Sequence, residues 1–143
     1  MPLTATDGLG ASLTLGTSTW ETNTLITSIS PSGATREALD TTHLGTTGAK
    51  SFVPADLPDN GGFTVEFIAD RPSNTSNTTF TLLAAAAETA TITYPPSSGT
   101  NGATVVGSAF CTEYTPPSCS PGELTKGSAT FKWASTISFT IET

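Results

Sequence analysis

The sequence predicts a mainly β protein, a barrel or sandwich of about seven or eight strands with one short helix packed on it. Three observations predict this. The chain is rich in Thr, Ser and Gly, with 13 Gly and 10 Pro, a turn-rich profile of strand-favouring residues. Short segments alternate strictly between apolar and polar residues, the mark of half-buried strands. A single segment carries helical spacing. With 143 residues the chain is read as one domain over residues 1–143, and 36% hydrophobic content argues against disorder.

The elements follow in order. Leu13 and Leu15 alternate with Ser12 and Thr14 in a first strand running toward Trp20. Leu25 to Ile29 forms a second strand, stopped by the turn-forming run Ser30-Pro31-Ser32-Gly33. Thr35 to Thr42 is a third. A fourth begins after the turn Asn60-Gly61-Gly62 and alternates Phe63, Val65, Phe67 and Ala69 against Thr64, Glu66 and Asp70, with Ile68 the exception. Thr75 to Glu88 is the candidate helix. Phe80, Leu83, Ala84 and Ala87 fall at i, i+3, i+4 and i+7, one face that would dock on the sheet, against Phe63, Val65 and Phe67 or against Phe131 and Trp133. Thr89 to Tyr94 is a strand closed by Pro95-Pro96. Ala103 to Tyr114 is a long one with Val106, Phe110 and Tyr114 on one parity. Lys126 to Trp133 brings Ala129, Phe131 and Trp133 to one face, and Ile137, Phe139 and Ile141 form the last strand.

Between the third and fourth strands lies an arm at about residues 44–60, too long for a hairpin loop and therefore functional or disordered. Leu44, Phe52, Val53 and Leu57 dot it with apolar side chains, while Gly, Thr and Pro argue against regular structure. Such a segment buries little within its own domain, so a neighbouring subunit is its natural acceptor and order must come from a partner.

Charge and motif content narrow the function. Only 12% of residues are charged, against about 25% in soluble domains. The net charge is −7, from 12 acidic and 5 basic residues. No cluster of Lys or Arg is present to neutralise phosphates, which argues against gripping nucleic acid. An acidic wall that DNA slides past is compatible with the same numbers, as is acidity that serves only solubility. Glu66 and Asp70 lie on the parity opposite Phe63, Val65 and Phe67 and are the first candidates for such a wall, followed by Glu37 and Glu113. His43 is the single histidine, and a local hydrogen bond with nearby Asp40 explains it better than catalysis. No nucleophile elbow, phosphate loop or metal motif occurs, and Asp56 to Gly61 is turn chemistry rather than a calcium loop. No enzyme activity, cofactor or metal is expected.

The remaining features concern compartment. Cys111 and Cys119 are the two cysteines, and a bridge between them would close a short loop once oxidised, two free thiols being the default in a reducing cytosol. The first residues lack the basic and apolar segments of a signal peptide, and no run approaches the roughly 20 apolar residues of a membrane span. The chain is expected to be cytosolic when made.

The stretch from Arg36 to Arg71 carries a resemblance. Leu39-Asp40-Thr41-Thr42-His43, a long loop, Leu57-Pro58-Asp59-Asn60-Gly61-Gly62 and an alternating strand ending in Asp70 resemble the major tail tube proteins of long-tailed (siphovirus-like) bacteriophages. The resemblance covers this central third well and the flanking strands in general plan. It implies the phage tail-tube fold and a structural virion protein: rings of six subunits stacked into a hollow tube, the helix outside, other tail proteins at the tube ends, and DNA passing through the lumen without specific binding. It implies localisation in the virion tail, with assembly in the host cytoplasm. An extracellular β-sandwich adhesin or ligand-binding module is the competing reading, being also Thr-rich, acidic and turn-rich.

Overall fold

The computed structural model describes residues 10–16, 18–19, 25–68, 83, 86–97 and 99–143, and of residues 18, 19 and 25 the backbone alone. The protein is mainly β. Its strands are β1 (Ser12–Leu15), β2 (Ser18–Thr19), β3 (Leu25–Pro31), β4 (Ala38–Asp40), β5 (Phe52–Pro54), β6 (Gly62–Ile68), β7 (Glu88–Thr93), β8 (Thr104–Thr115), β9 (Lys126–Trp133) and β10 (Ser138–Thr140). One sheet runs in the order β2-β1-β7-β8-β9-β6-β3, with β10 also paired to β8, and β4 and β5 form a separate two-stranded sheet. The pairings within the named strands are antiparallel.

The large sheet curls round one apolar core. Leu13, Leu15, Phe63, Val65, Phe67, Ala90, Ile92, Ala109, Cys111, Ala129, Phe131 and Trp133 form a single buried cluster. Burying each large member contributes about 1.5–3 kcal/mol. Leu15 and Phe131 line one small cavity although β7 and β8 separate their strands, so the core face is concave. At its centre Phe63 stacks on Phe131 (5.0 Å between ring centres, 15° between planes) and meets Trp133 at 5.0 Å and 50°. The Phe63, Val65, Phe67 and Ala129, Phe131, Trp133 faces predicted from alternation are both buried, and they close on each other and on β1 and β7.

Three readings are corrected. The first strand does not run on toward Trp20, because Gly16, at φ 59°, turns the chain back into β2. The single parity expected of Val106, Phe110 and Tyr114 fails at a bulge between Cys111 and Glu113. Ala109 and Cys111 point inward there, Phe110 is exposed, and Tyr114 joins the core side opposite Ala129. An extra residue in one strand shifts every later side chain to the other face. The last strand is shorter than Ile137 to Ile141: β10 covers Ser138–Thr140, Ile137 packs against the core cluster from outside it, and Phe139 and Ile141 are 65% and 73% exposed.

The helix predicted over Thr75 to Glu88 lies mostly outside the described residues, as do Phe80 and Ala84. Among the described residues there is no helix. Leu83 sits in a turn, 41% exposed, Ala86 and Ala87 are exposed and irregular, and Glu88 already opens β7. Strand pairing with β8 overrides the helix propensity of the alanines at that end, since Glu88 pairs with Ala109.

Candidate assembly interface

The arm is a β-hairpin rather than an irregular segment. Ala38, Leu39 and Asp40 pair with Pro54, Val53 and Phe52. Below that ladder the Ala55 N–H donates to the Glu37 carbonyl (2.8 Å) and the Arg36 Nε donates to the Ala55 carbonyl (2.6 Å). Thr35 and Asp59 exchange both backbone bonds at 2.8 and 2.7 Å. The β-branched Val53 fits this pleat, and Pro54 is tolerated because the hairpin is all edge. The Thr and Pro content read as breaking structure therefore does not break it.

Three contacts fasten the stalk to the large sheet. Lys132 Nζ lies 3.0 Å from Asp59 Oδ1, Asn60 Nδ2 donates to the Ser135 carbonyl at 3.0 Å, and the Trp133 N–H donates to the Gly61 carbonyl at 3.0 Å. Gly61 needs its positive φ of 69°, and a side chain on Gly62 would run into the Phe131 carbonyl. The Gly61 N–H donates to Asp59 Oδ1 at 2.8 Å. That bond, with the Lys132 ammonium, holds the Asp59 carboxyl below its ordinary value. At the other end the Thr42 hydroxyl and N–H do the same for Asp40.

The tip is shaped by His43. Its Nδ1 accepts from the Gly45 N–H (3.0 Å), its N–H donates to Thr46 Oγ1 (2.9 Å) and its carbonyl accepts from the Thr46 N–H (2.9 Å). The partner expected for His43, Asp40, bonds Thr42 instead.

Leu44 is fully exposed, Leu57 84% and Phe52 55% exposed, and Val53 is exposed beside them. Leu39, not singled out from sequence, is exposed and directly opposite Val53, so the two share one face of the hairpin. Its signal was the pairing register, which residue order does not carry. Leu124, Phe139 and Ile141 are further exposed apolar residues that alternation alone assigned elsewhere or passed over.

The acidic candidates separate. Glu66 is exposed on the face of β6 opposite the core, where Ser28 Oγ donates to its Oε2 at 3.2 Å. Glu113, exposed opposite Thr130, shares that face. Glu37 lies in the arm's stalk, and Asp70 is outside the described residues. The same face is laid with hydroxyls: Thr64 pairs with Thr130, Ser128 with both Glu66 and Thr115, and Thr91 with Thr14. Cys111 and Cys119 are both free, the first buried in β8 and the second exposed in the loop before β9, and burial pushes the Cys111 thiol up. Among the described residues no three His, Cys, Asp or Glu stand close enough to hold a metal, and no helix is long and apolar enough to cross a membrane.

No protein-family model and no curated protein matches the sequence. Solved structures do match in fold, and they are components of phage-tail-like injection particles. A chain of the sheath/tube terminator of an extracellular contractile injection system, PVC, in the extended state aligns over 95% of this chain and 96% of its own with a TM-score of 0.74 at 14% identity. A chain of the anti-feeding prophage tube-terminating cap aligns over 92% and 87% with a TM-score of 0.70 at 17% identity. The PVC sheath–tube complex in the extended state gives 92%, 88%, 0.71 and 14%. The fold of this protein is thus that of chains in contractile tail tubes and their caps.

Proposed function

We propose that this protein is a structural subunit of a phage tail or tail-like tube, polymerising as stacked rings, six subunits to a ring, into a hollow conduit through which DNA is delivered. The observation that carries the proposal is the arm, a hairpin braced at its base whose apolar side chains are exposed in the single subunit. Several large apolar side chains left exposed on one hairpin favour an interaction site there. The neighbours' fold supports the same reading, because they belong to tube and cap assemblies. The arm, Leu44, Phe52, Val53 and Leu57, lies against the next ring. The hydroxyl face with Glu66 and Glu113 lines the lumen. The segment that holds Phe80, Leu83, Ala84 and Ala87 lies on the outside of the ring, where Leu83 and Ala87 are exposed in the single subunit. Other tail proteins bind the tube ends, and subunits assemble in the host cytoplasm before incorporation into the tail. Edge strands such as β3 pair between neighbours, because a closed ring leaves no edge unpaired.

Negative-stain microscopy of the purified protein tests this. Rings or tubes are the expected result. Persistent monomers that bind a glycan or a protein ligand would replace the proposal with the adhesin reading.

A further inference from the structure

We infer that Lys126 and Lys132 set the charge of the strand face that carries Glu66, leaving a nearly neutral, hydroxyl-lined wall that neither holds nor repels passing DNA. The inference rests on the lumenal position proposed for that face, and it departs from the acidic wall that composition suggests. Lys126 pairs across strands with Ile68 and Lys132 with Gly62 and Phe110, so both ammonium groups stand on the face opposite the core. Glu66 and Lys126 line one open cleft of about 300 Å³ with Thr27, Thr115 and Ser128. Lys132 is further engaged by Asp59 at 3.0 and 3.1 Å. Three carboxylates, Glu66, Glu113 and Asp59, thus face two ammonium groups among the described residues.

The acidic excess of the described residues lies elsewhere. Glu88 stands at the start of β7, Glu123 in the loop before β9 and Glu142 over the loop at Ser97 and Gly99, where its carboxylate accepts three bonds. Those are ends of strands and loops, not the pleated face. Hydroxyls bind water as well as they bind each other, so the wall stays wet and offers a sliding polymer little net charge to shed counterions against. Opposite signs on neighbouring strands also cancel within a screening length, whereas a ring of like charges would focus a field.

Uptake into assembled, open tubes tests the inference. The probes are a short fluorescent single-stranded oligonucleotide and an uncharged poly(ethylene glycol) of equal hydrodynamic radius, at low and high salt. In the parent tube the two probes should enter to within about twofold of each other at both salts, since the screened wall has little net field. Lys126→Glu should exclude the oligonucleotide several-fold at low salt only, and Glu66→Gln should admit it at least as well as the parent. Strong low-salt exclusion by the parent tube, relieved by salt, would restore the acidic wall and overturn the inference. So would a Lys126→Glu tube that behaves as the parent. Ser128→Cys in a Cys119→Ser background separates the parent reading: in tubes it should react with a small maleimide and resist one carried on a bulky protein. Equal labelling by both would put the face outside, and the lumenal assignment would fall first.

Discussion

Lys132 Nζ and Asp59 Oδ1, 3.0 Å apart, join the last residues of β9 to the base of the arm. Asp59 is also bonded by the Gly61 N–H and exchanges backbone bonds with Thr35, so one residue links the sheet, the turn into β6 and both sides of the stalk. The Gly61 N–H, and with it the Lys132 ammonium, holds its carboxyl below the ordinary carboxylate value. A depressed folded value means the contribution is complete above the ordinary carboxylate range and is lost as pH falls through the lower, folded value. Titration of the Asp59 carboxyl by NMR should therefore give a midpoint below that of an ordinary aspartate, and Lys132→Ala should move it upward without unfolding the protein. Both side chains are about half exposed, so the melting temperature should hardly change. A midpoint unmoved by Lys132→Ala would remove the ion pair from the account.

The arm separates folding from assembly. Phe52→Ser with Val53→Ser alters exposed side chains and keeps the hairpin ladder, so the subunit should melt as the parent does while sedimentation and microscopy show no tubes. A deletion from Thr46 to Pro54 is the poorer test, because it removes β5. Tubes of normal length from the double variant would exclude this part of the arm from the interface.

Hydrogen exchange should divide the arm by its bonds. The amides of Thr35, Ala55 and Asp59 donate within the stalk and should be slowed already in the free subunit, whereas Leu44 should gain protection only in tubes. Equal protection of the tip in both states would show that assembly does not cover it.

The core is most sensitive at Phe63. Its ring stacks on Phe131 and leans on Trp133, and it is 1% exposed. Phe63→Ala should cost about 3–5 kcal/mol in urea unfolding, the range for truncating a buried aromatic. Gly62→Ala should also destabilise strongly, since its methyl would meet the Phe131 carbonyl in the paired strand. Parent-like unfolding of either variant would contradict the β6–β9 register.

The two thiols should react apart. Cys119 is exposed and Cys111 is buried with its thiol pushed up and donating to the Glu113 carbonyl at 3.4 Å. Mass spectrometry after brief maleimide treatment of the native protein should find Cys119 alone modified. Modification of Cys111 at the same rate would mean that β8 opens readily at its bulge.

The lumenal position proposed for Glu66 sets an expectation for ejection. Glu66→Lys would turn a nearly balanced face basic, so assembled particles carrying it should eject DNA slowly at low salt and recover at high salt. Ejection unchanged at every salt concentration would place Glu66 away from the cargo.

Residue order by itself determined the strand content and much of the core. Alternation is a local property, and in β6 and β9 it marked Phe63, Val65, Phe67, Ala129, Phe131 and Trp133, all buried. It also singled out Leu44, Phe52, Val53 and Leu57 of the arm, all of which are exposed. What tertiary structure decided was non-local. The bulge after Cys111 depends on how β8 pairs with β9, and it sends Tyr114 inward against its parity. The hairpin of the arm exists because Leu39 meets Val53 fourteen residues on, a register that no window of sequence contains. Phe139 and Ile141 alternate like core residues yet lie exposed, because β10 takes the outer end of β8. Lys126 and Lys132 stand on the face of Glu66 only through cross-strand pairing, and so the charge of that face could not be read from composition.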